Sequence, residues 1–560
     1  PLAMPENILV CAAWPYANGS IHLGHVAGCY LPADIFARYH RLKGNNVLMV
    51  SGSDAHGTPV TITAEANGST PAEVASSYQE EFLQDWKDLG ISFDLFTSTH
   101  TDNHFSVSQD IFLKLYEKDF IYKDIMSQPY CEDHQRFLAD RYVEGICPHC
   151  DSEGARGDQC DACGNTLDPK DLINIRHRDC TYTPVFKETE HFFLRLSVFE
   201  KQLLDWTRKQ DHWKPNVKNF TVGFLEGGLK DRAITRDITW GVPVPIPGYE
   251  SKRIYVWFEA VIGYLSASIE AGNQFGNPNL WIDFWKGNSR SFYFMGKDNI
   301  PFHTVIWPAM LLAYEGYNLP YDVPANEYVN MESQKISTSR NWVINLKDAV
   351  QRYDPDPIRY TLSAIMPETS DSNFTWEEFV RRNNDELVAT FGNLVNRVLS
   401  MIHRNFDGQV PKRGNIGNSE IKLNKLAETT LISVSESIES CKFREGLAHC
   451  MSLAREVNRY LDEKAPWTAI KSDIDSASTP LNISVNIINC LKTVLHPYLP
   501  FSTQALQAML GLAGEVEKND WSWNPQEVPD DHKLGEVKRL FDKLEDSIAE
   551  AELSRLSSES

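Results

Sequence analysis

The sequence lacks any long uncharged apolar run, and it has few basic residues. The nearest candidate run, residues 306–314, is short and predicts a buried helix, so we expect no membrane span. There are 54 Lys and Arg residues against 76 Asp and Glu, a formal net charge of -22. This balance excludes a broadly cationic surface wrapped by nucleic acid. Any RNA would have to be bound by a local patch, by its shape or as unpaired bases.

A signal segment and a disulfide framework are also missing. Residues 1–6 contain no basic region and no hydrophobic stretch, and we therefore expect a cytoplasmic protein. Four of the eleven cysteines are bunched in two Cys-x-x-Cys pairs, which indicates bound metal in a reducing compartment. The 42% of apolar residues can form sizeable cores, and 560 residues suggest about three or four domains.

Residues 8–25 are the most informative stretch. An apolar strand at residues 8–13 leads through a Trp-Pro and Asn-Gly turn to a helix that starts at His22, with His25 three residues later. Such a helix start binds anions through its free N–H groups, and two imidazoles add donors for phosphate oxygens. The stretch predicts a nucleotide site. Two surface histidines would be the alternative for the His-x-Gly-His pattern alone.

The residues that follow predict the rest of an α/β domain. A helix is expected over residues 23–42, broken or kinked at Pro32, and then a buried parallel strand at residues 47–51. Asp54 and His56 come directly after that strand, where functional residues of open α/β sheets lie. The alternative for Asp54 is a helix N-cap. Further helices are predicted at residues 78–91, 103–122 and 191–213, and strands near residues 252 and 290 predict the second half of a doubly wound sheet.

Between residues 128 and 180 the composition predicts a small lobe held by metal. Cys147-Pro-His-Cys150 and Cys160-Asp-Ala-Cys163 present four thiolates within reach of one Zn²⁺, with four free or redox thiols as the alternative. His149 is expected to face solvent. The flanking Cys131, His134, His177 and Cys180 predict either a second zinc site or unpaired polar residues in a hairpin.

Beyond residue 367 long helical periodicities predict an all-α bundle, with helices near residues 386–404, 423–441, 446–461 and 483–499. The tail, residues 530–560, predicts a charged amphipathic helix with a frayed end. We recognise no dimerisation domain after the bundle and therefore expect a monomer.

Two segments carry a family resemblance. Pro15-Tyr16-Ala-Asn18-Gly-Ser-Ile-His22-Leu-Gly24-His25 resembles the first signature of the class I aminoacyl-tRNA synthetases, in particular of their methionyl family. Lys335-Ile336-Ser337-Thr338-Ser339-Arg340 resembles the second signature, Lys-Met-Ser-Lys-Ser, but departs from it at Ile336 and Thr338. The resemblance extends from about residue 8 to the end of the bundle. It implies a ligase that activates L-methionine with ATP and Mg²⁺ and transfers the methionyl group to tRNA(Met).

The resemblance also implies roles for individual residues. The catalytic residues would be His22, His25 and Lys335, with Arg340 or Lys297 helping Lys335 because the second lysine is missing. ATP would be bound by Tyr16, Asn18, Gly24, His22, His25, Lys297, Asp298, Lys335, Ser337 and Ser339. Methionine would be bound by Ala13, Trp14, Tyr16, Asp54, Trp257, Ala260, Tyr264, Phe302, His303 and Trp307, with Asp54 holding the amino group. The anticodon would be read by Asn393, Arg397, Pro466 and Trp467.

Some of these assignments have alternatives. Aromatic faces suit a polarisable thioether, but aromatics at helical spacing are also ordinary core residues. Trp467 can stack on an unpaired base or pack against the end of the bundle. Trp14 and Val261 stand where many relatives have Leu and Pro, which leaves the shape of the pocket open.

The expected organisation has six segments. They are a first half of the Rossmann-like catalytic domain at 1–122, a zinc-knuckle insertion at 123–230, a second half at 231–325, a linker with the second signature at 326–370, an anticodon-binding bundle at 371–530, and a helix and tail at 531–560. Valyl, isoleucyl and leucyl specificity is disfavoured, because those relatives carry a larger insertion. A cysteinyl relative would hold zinc in the amino-acid site, whereas these cysteines lie in a separate lobe. A small-molecule nucleotidylyltransferase or an RNA-binding zinc protein are the competing classes.

Overall fold

The computed structural model describes residues 4–558, and the first part of the chain alternates strands with helices. In chain order it contains β1 (Asn7–Ala12), α1 (Leu23–His25), α2 (Leu31–Leu42), β2 (Asn46–Ser53), α3 (Thr58–Asn67), α4 (Pro71–Leu89), β3 (Leu95–Ser98) and α5 (Asp102–Glu117). The side chains of Thr70 and Thr101 cap α4 and α5 by accepting backbone N–H groups. The alternation is typical of a parallel sheet covered by helices.

The break predicted at Pro32 is present as a π-helical stretch, Val26–Tyr30, between α1 and α2. Proline has no N–H to donate to the helical ladder, and the wider turn before it accommodates that loss. A second π-helical stretch, Phe302–Ile306, comes just before Pro308. Both irregular turns lie next to segments that the sequence assigned to the site.

The insertion consists mainly of strands. It contains β4 (Ile121–Cys131), β5 (Arg136–Phe137), β6 (Val143–Ile146), β7 (Ala155–Arg156), β8 (Ile173–His177), β9 (Val185–Leu194), α6 (Glu200–Arg208) and α7 (Pro215–Glu226). β4 pairs antiparallel with β9, from Ile121 opposite Leu194 to Tyr130 opposite Val185. The predicted helices are therefore wrong at residues 121–122 and 191–194. Pairing with a strand distant in sequence decides the structure there, and local periodicity cannot show it.

The chain returns through short strands. These are β10 (Arg232–Ala233), β11 (Thr235–Arg236), β12 (Val242–Pro243) and β13 (Arg253–Ile254), before α8 (Val256–Gln274), α9 (Leu280–Trp285), β14 (Ser289–Phe294) and α10 (Trp307–Tyr314). β13 pairs antiparallel with β11 and β12 in a separate sheet, so the strand expected near residue 252 does not join the main sheet. Only two residues are extended there before α8 begins. The strand near residue 290 does join it, as β14.

The main sheet is parallel, with the strand order β14-β1-β2-β3. The chain proceeds from β1 to β2 and β3 on one side, and then crosses back to place β14 on the other side of β1. The strand order therefore reverses between β1 and β14. In open α/β sheets ligands bind at this switch point, beyond the carboxyl ends of the strands. The residues after Ala12 and after Phe294 lie at that position.

The last part of the chain holds the linker and the bundle. It contains β15 (Val329–Met331), β16 (Gln334–Lys335), α11 (Leu346–Arg352), α12 (Pro355–Ala364), β17 (Ser372–Phe374), α13 (Trp376–Arg381), α14 (Asn393–Asn405), α15 (Asn418–Glu439), α16 (Phe443–Lys464), α17 (Pro466–Ser472), α18 (Ile474–Leu495), α19 (Pro500–Met509) and α20 (Ser547–Ser558). A π-helical stretch, Arg382–Gly392, joins α13 to α14. Within residues 4–558 no helix is long and apolar enough to cross a membrane.

The tail helix is shorter than predicted. Only Ser547–Ser558 is helical, residues 530–546 are irregular, and residues 559–560 lie outside the described part of the chain. The irregular segment bonds to the bundle instead: the Val410 N–H donates to the carbonyl of His532, and the Leu544 N–H donates to the Asn384 side chain. These bonds satisfy backbone groups that a helix would have paired internally.

A fully buried arginine, Arg359 on α12, joins the α/β domain to the bundle. Its Nη2 lies 2.7 Å from Asp34 Oδ2 on α2 and donates to the carbonyl of Pro497, while its Nε donates to the carbonyl of Tyr498. Asp34 also pairs with Arg38 at 2.8 Å. A buried charge of this kind is stable only while its partners stay in place, so the contact fixes the two domains against each other.

Replacing Arg359 by Met should destabilise the protein by about 3 kcal/mol or more, because Asp34 and four carbonyl groups lose a buried donor. Urea unfolding followed by circular dichroism measures this. The control is Arg539→Met, since Arg539 is 79% exposed in its pair with Asp542. We expect a change within about 0.5 kcal/mol there. Equal effects of the two substitutions would contradict the role given to Arg359.

Candidate active site and metal centres

His22 and His25 form a reciprocal cap at the start of α1. His22 Nδ1 accepts the N–H groups of Gly24 and His25 at 3.1 and 3.3 Å, and His25 Nδ1 accepts the N–H of His22 at 3.2 Å. The rings stack with centroids 3.5 Å apart. Burial and the neighbouring His25 lower the pKa of His22, and desolvation by the surrounding protein lowers the pKa of His25 to about 4, although the residue is partly open to solvent. Both rings are therefore neutral at pH 7 and carry their proton on Nε2.

The second signature lies beside the first. The Leu23 N–H donates to the Ile344 carbonyl at 3.0 Å, and the Leu346 N–H donates to the Ile21 carbonyl at 2.8 Å. Gly24 allows the close approach, because a Cβ there would lie 3.0 Å from Ile336 Cδ1 and 2.9 Å from the His22 ring. The two motifs, more than 300 residues apart in sequence, thus meet at the switch point.

The second-signature loop presents one exposed lysine. Lys335, at the end of β16, is exposed, and the hydroxyls of Ser337 and Ser339 lie 3.1 Å apart. Lys297 does not stand free beside it: its Nζ lies 2.8 Å from Glu327 and 3.6 Å from Asp371. Asp298 follows in a 3₁₀ turn, and burial raises its pKa.

Asp54 lies at the carboxyl end of β2, where the sequence placed it. Its N–H donates to the Pro15 carbonyl, its carbonyl accepts the Ala17 N–H, and the bridge brings it level with Tyr16. The residue is 4% exposed, and its Oδ1 is buried without a hydrogen-bond partner. It is not an N-cap, because Gly57 occupies that position of α3. Burial first, and then the nearby Glu259, raise the pKa of Asp54 well above its ordinary value.

The residues assigned to the methionine side chain differ in how they are placed. Trp14, Tyr264 and His303 are contiguous: the Trp14 and Tyr264 ring centroids are 6.3 Å apart, and the Tyr264 hydroxyl lies 2.7 Å from His303 Nε2. Trp307 is fully buried and donates to the Tyr293 hydroxyl, so it supports this wall from behind. The remaining residues are all at least partly buried: Ala13, Trp257, Ala260 and Phe302.

Trp14 is wedged between strand and helix. A Cβ on Gly52 would lie 2.3 Å from the indole, and one on Gly263 would lie 2.6 Å from it. These two glycines make the room that the larger side chain needs, one at the end of β2 and one on α8. The departure from leucine at this position is thus accommodated by the local structure.

Sequence reasoning missed a buried group of titratable side chains behind Asp54. Glu259 accepts from His56 and His104, and His56 in turn contacts His100. Glu259 lies inside the segment that carries Trp257 and Tyr264, which was the available signal. Its partners come from α5 and from the turn after β2, and their proximity depends on the fold.

Two groups of Cys and His side chains have metal-binding geometry. In the first, the Sγ atoms of Cys147 and Cys163 lie 3.9 Å apart, and those of Cys150 and Cys160 lie 3.6 Å apart. Four sulfurs about 2.3 Å from a tetrahedral Zn²⁺ would be separated by ~3.8 Å. His149, between Cys147 and Cys150, is exposed as expected.

The second group consists of Cys131, His134, His177 and Cys180, and its donor atoms lie within 4.8 Å of one another. Cys131 Sγ is 3.3 Å from His134 Nδ1. Both ring nitrogens of His177 are buried without a partner, which is costly for an imidazole unless a ligand binds it. The donors of both groups suit zinc.

A cavity of about 720 Å³ lies in the bundle. Asn393 and Arg397 line it, together with Arg455 and Arg459. Arg397 Nη2 donates to Asn458 Oδ1 at 2.8 Å, and the guanidinium lies 5.3 Å from the ring centroid of Trp467. Pro466 begins α17 just before this half-buried tryptophan. The structure therefore brings the four residues assigned to the anticodon to one surface.

Comparisons with known proteins agree with this arrangement. Residues 8–399 match the family model of tRNA synthetases class I (M), and residues 410–560 match that of the anticodon binding domain of methionyl tRNA ligase. The methionine–tRNA ligase of Dehalococcoides mccartyi strain CBDB1 is 54% identical over 553 residues, covering 99% of this chain and 100% of the relative. That of Thermomicrobium roseum is 50% identical over 585 residues, covering all of both.

A solved structure is similar over nearly the whole length. Mycobacterium tuberculosis methionyl-tRNA synthetase in complex with methionyl-adenylate superposes with a TM-score of 0.80 at 25% identity, covering 96% of this chain and 99% of that one. The two signature segments, the parallel sheet with its switch point and the helical bundle are thus accompanied by full-length similarity. The chain belongs to the methionyl (M) family of class I tRNA synthetases.

Proposed function

We propose that this protein activates L-methionine with ATP to methionyl-adenylate and then transfers the methionyl group to the 3′ end of tRNA(Met). The observation that carries the proposal is the buried Asp54 carboxylate, whose Oδ1 has no partner. Asp54 lies two residues after Gly52, which contacts Trp14 of a wall that also contains Tyr264 and His303. An ammonium group satisfies such a carboxylate strongly, because both charges are withdrawn from water. Aromatic faces suit the thioether at the other end of the substrate.

The first step is an in-line attack. The methionine carboxylate attacks the α-phosphorus of ATP, which enters as its Mg²⁺ complex, and pyrophosphate leaves. The Nε2–H groups of neutral His22 and His25 donate to phosphate oxygens, and Lys335 neutralises charge on the leaving group as its loop closes. In the second step a terminal ribose hydroxyl of the tRNA attacks the acyl carbon, and AMP leaves.

The nucleotide site extends along both signatures. We assign Tyr16, Asn18, Gly24, Lys297, Asp298, Ser337 and Ser339 to ATP binding in addition to the two histidines and Lys335. Lys297 is engaged by Glu327 and Asp371, so it reaches a phosphate only by leaving them. Lys335 and the exposed Arg340 therefore carry the charge that a second loop lysine would share.

The methionine site follows from the same geometry. Asp54 binds the amino group, and Trp14, Tyr264 and His303 bind the side chain, with Ala13, Tyr16, Trp257, Ala260 and Phe302 completing the surroundings. His303 Nδ1 lies 2.8 Å from the Asn299 carbonyl, to which it donates, and burial lowers its pKa to about 4. A neutral His303 keeps the pocket free of a cation that would repel the ammonium.

We assign the anticodon of tRNA(Met) to the cavity in the bundle. The chain is acidic overall, with a net charge of -22, so a local cationic patch is needed for RNA. Arg397, Arg455 and Arg459 supply cationic groups at the cavity lined by Asn393, where Asp462 pairs with Arg397 and Glu463 pairs with Arg459. Trp467 offers a face for stacking an unpaired base.

Both Cys and His groups would hold zinc in a structural role. The small core of the lobe, around Leu138 and Val143, needs such support because it buries few side chains. We also propose a cytoplasmic location, since the thiols of residues such as Cys11 and Cys450 are free. We propose a monomer because one chain supplies every residue assigned to the site.

Exchange of pyrophosphate into ATP should depend on methionine and on no other protein amino acid, because the aromatic wall suits a polarisable thioether. Assay of each amino acid in turn measures this. Exchange with a different amino acid, or with none, would overturn the proposal.

Asp54→Asn should lower kcat/KM for methionine by about 100-fold, whereas Asp542→Asn on the surface should leave it unchanged.

Trp467→Ala should lower kcat/KM of tRNA charging by about 5- to 150-fold, the value of one base stacked on an aromatic ring. Pyrophosphate exchange should not change, because Trp467 lies in the bundle. Trp467→Phe retains an aromatic face and should keep most of the charging. If exchange falls as much as charging, Trp467 has only a structural role.

Elemental analysis should find two zinc ions per chain. Cys147→Ala should remove one and Cys180→Ala the other, and Cys450→Ala should keep both because Cys450 is buried in the bundle. One zinc in the wild type, lost in Cys147→Ala and kept in Cys180→Ala, would show that the second group is a metal-free hairpin.

A further inference from the structure

A buried carboxylate connects the two ends of the proposed methionine site. Glu259 is 0% exposed and lies in the first turn of α8, the helix that also carries Trp257 and Tyr264. One of its oxygens lies 3.0 Å from His56 Nδ1. His56 is two residues after Asp54 in the same turn. Glu259 therefore connects the turn that holds Asp54, the ammonium anchor, to α8, the helix that carries Tyr264 of the aromatic wall.

The other oxygen of Glu259 is held from the opposite side. It accepts a short hydrogen bond from His104 Nε2, on the first turn of α5. His104 Nδ1 lies 2.7 Å from Ser266 Oγ, which belongs to α8 one turn after Gly263. His56 Nε2 lies 3.0 Å from His100 Nδ1, just before α5. The carboxylate is therefore fixed by imidazoles from two different elements.

This group bears a defined charge. Burial would raise the pKa of Glu259, but His56 and His104 together lower it to about 2. Glu259 is thus an anion in the folded protein, paired to imidazole donors. A buried anion held in this way has little freedom to move, since each partner lost would leave an uncompensated charge.

The same helix face bears on Trp14. Glu259, Gly263 and Ser266 are spaced by four and three residues and share one face of α8. Trp14 lies over Gly263, and its indole also contacts Gly52 at the end of β2. The distance between β2 and α8 therefore sets both where Trp14 stands and how far Asp54 lies from Tyr264.

We propose that Glu259, held between His56 and His104, is a positioning residue that fixes the separation of the ammonium anchor from the aromatic wall and thereby sets the length of the amino-acid side chain accepted. Glu259 does not contact the substrate and acts through Asp54 and α8. The inference rests on the proposed methionine activation. It assigns a function to a group that the chemistry of the adenylation step does not use.

The preference for one side-chain length is the property that a change at Glu259 should alter. Methionine should be preferred over ethionine, which is one methylene longer, and over S-methylcysteine, which is one methylene shorter. One methylene in a fitted pocket is worth about 10- to 200-fold in kcat/KM. A loosened connection between β2 and α8 lets the pocket adapt, and the preference falls.

His104 offers a matched pair of variants. In His104→Gln the side-chain amide can still donate to Glu259, and in His104→Leu a side chain of similar size cannot. Pyrophosphate exchange with methionine, ethionine and S-methylcysteine is measured for both. We expect His104→Leu to raise KM for methionine about 10-fold with kcat within about 3-fold, and to lower the preference over both analogues about 10-fold. His104→Gln should keep both values within about 3-fold of the wild type.

Other outcomes distinguish failure of the positioning role from failure of the proposed function. Wild-type preference and KM in His104→Leu, or equal losses in His104→Leu and His104→Gln, would overturn the positioning role. If wild-type protein fails to exchange with methionine, the proposed function fails instead. If His104→Leu does not fold, Glu259→Gln replaces it, because the amide has one acceptor for two imidazoles. An unchanged preference in Glu259→Gln would equally overturn the inference.

Discussion

The buried carboxylate of Asp54 is the constraint on which the proposed active site depends. Ionising a carboxyl group that is withdrawn from water costs several kcal/mol, so burial raises the pKa of Asp54, and its Oδ1 atom has no hydrogen-bond partner. The fold keeps it there through main-chain bonds to Pro15 and Ala17 and through the connection of His56 to Glu259. A cationic ligand relieves that cost. The arrangement therefore favours an amino acid over the other small molecules that a nucleotide-binding sheet can accept.

The insertion and the helical bundle are both connected to the proposed active site by specific contacts. In the insertion, Gln159, next to Cys160 of the first cysteine group, donates to the Asp298 carbonyl at 2.8 Å. On the bundle side, Arg359 joins α12 and the bundle to Asp34 on α2, the helix that continues from the two site histidines. The position of the insertion and the docking of the bundle thus both affect the geometry of the switch point.

Much of the site could be predicted because its determinants are local. The helix start at His22, the break near Pro32 and the clustering of the two Cys-x-x-Cys pairs each depend on a few neighbouring residues, and the structure places them as expected. The meeting of His22 with the second signature followed from the family resemblance. The domain limits and the role of each site residue stay predictions.

What could not be predicted depends on pairing across long distances in sequence. β9 takes its backbone partners from β4, so the helical periodicity at residues 191–194 carries no weight. Glu259 meets His104 across 155 residues, and Lys297 is withdrawn from the phosphate side by Glu327 and Asp371. No local pattern contains these contacts. They arise from the order in which strands and helices are assembled.

A double-mutant cycle tests directly whether Asp54 binds the amino group of methionine. Calorimetry would compare the binding of methionine and of 4-(methylthio)butyrate, which lacks the amino group, to the wild type and to Asp54→Asn. We predict that removing the amino group weakens binding to the wild type by about 30-fold or more and to Asp54→Asn by less than about 3-fold. Equal losses in the two proteins would show that Asp54 does not bind the amino group, and would contradict the account.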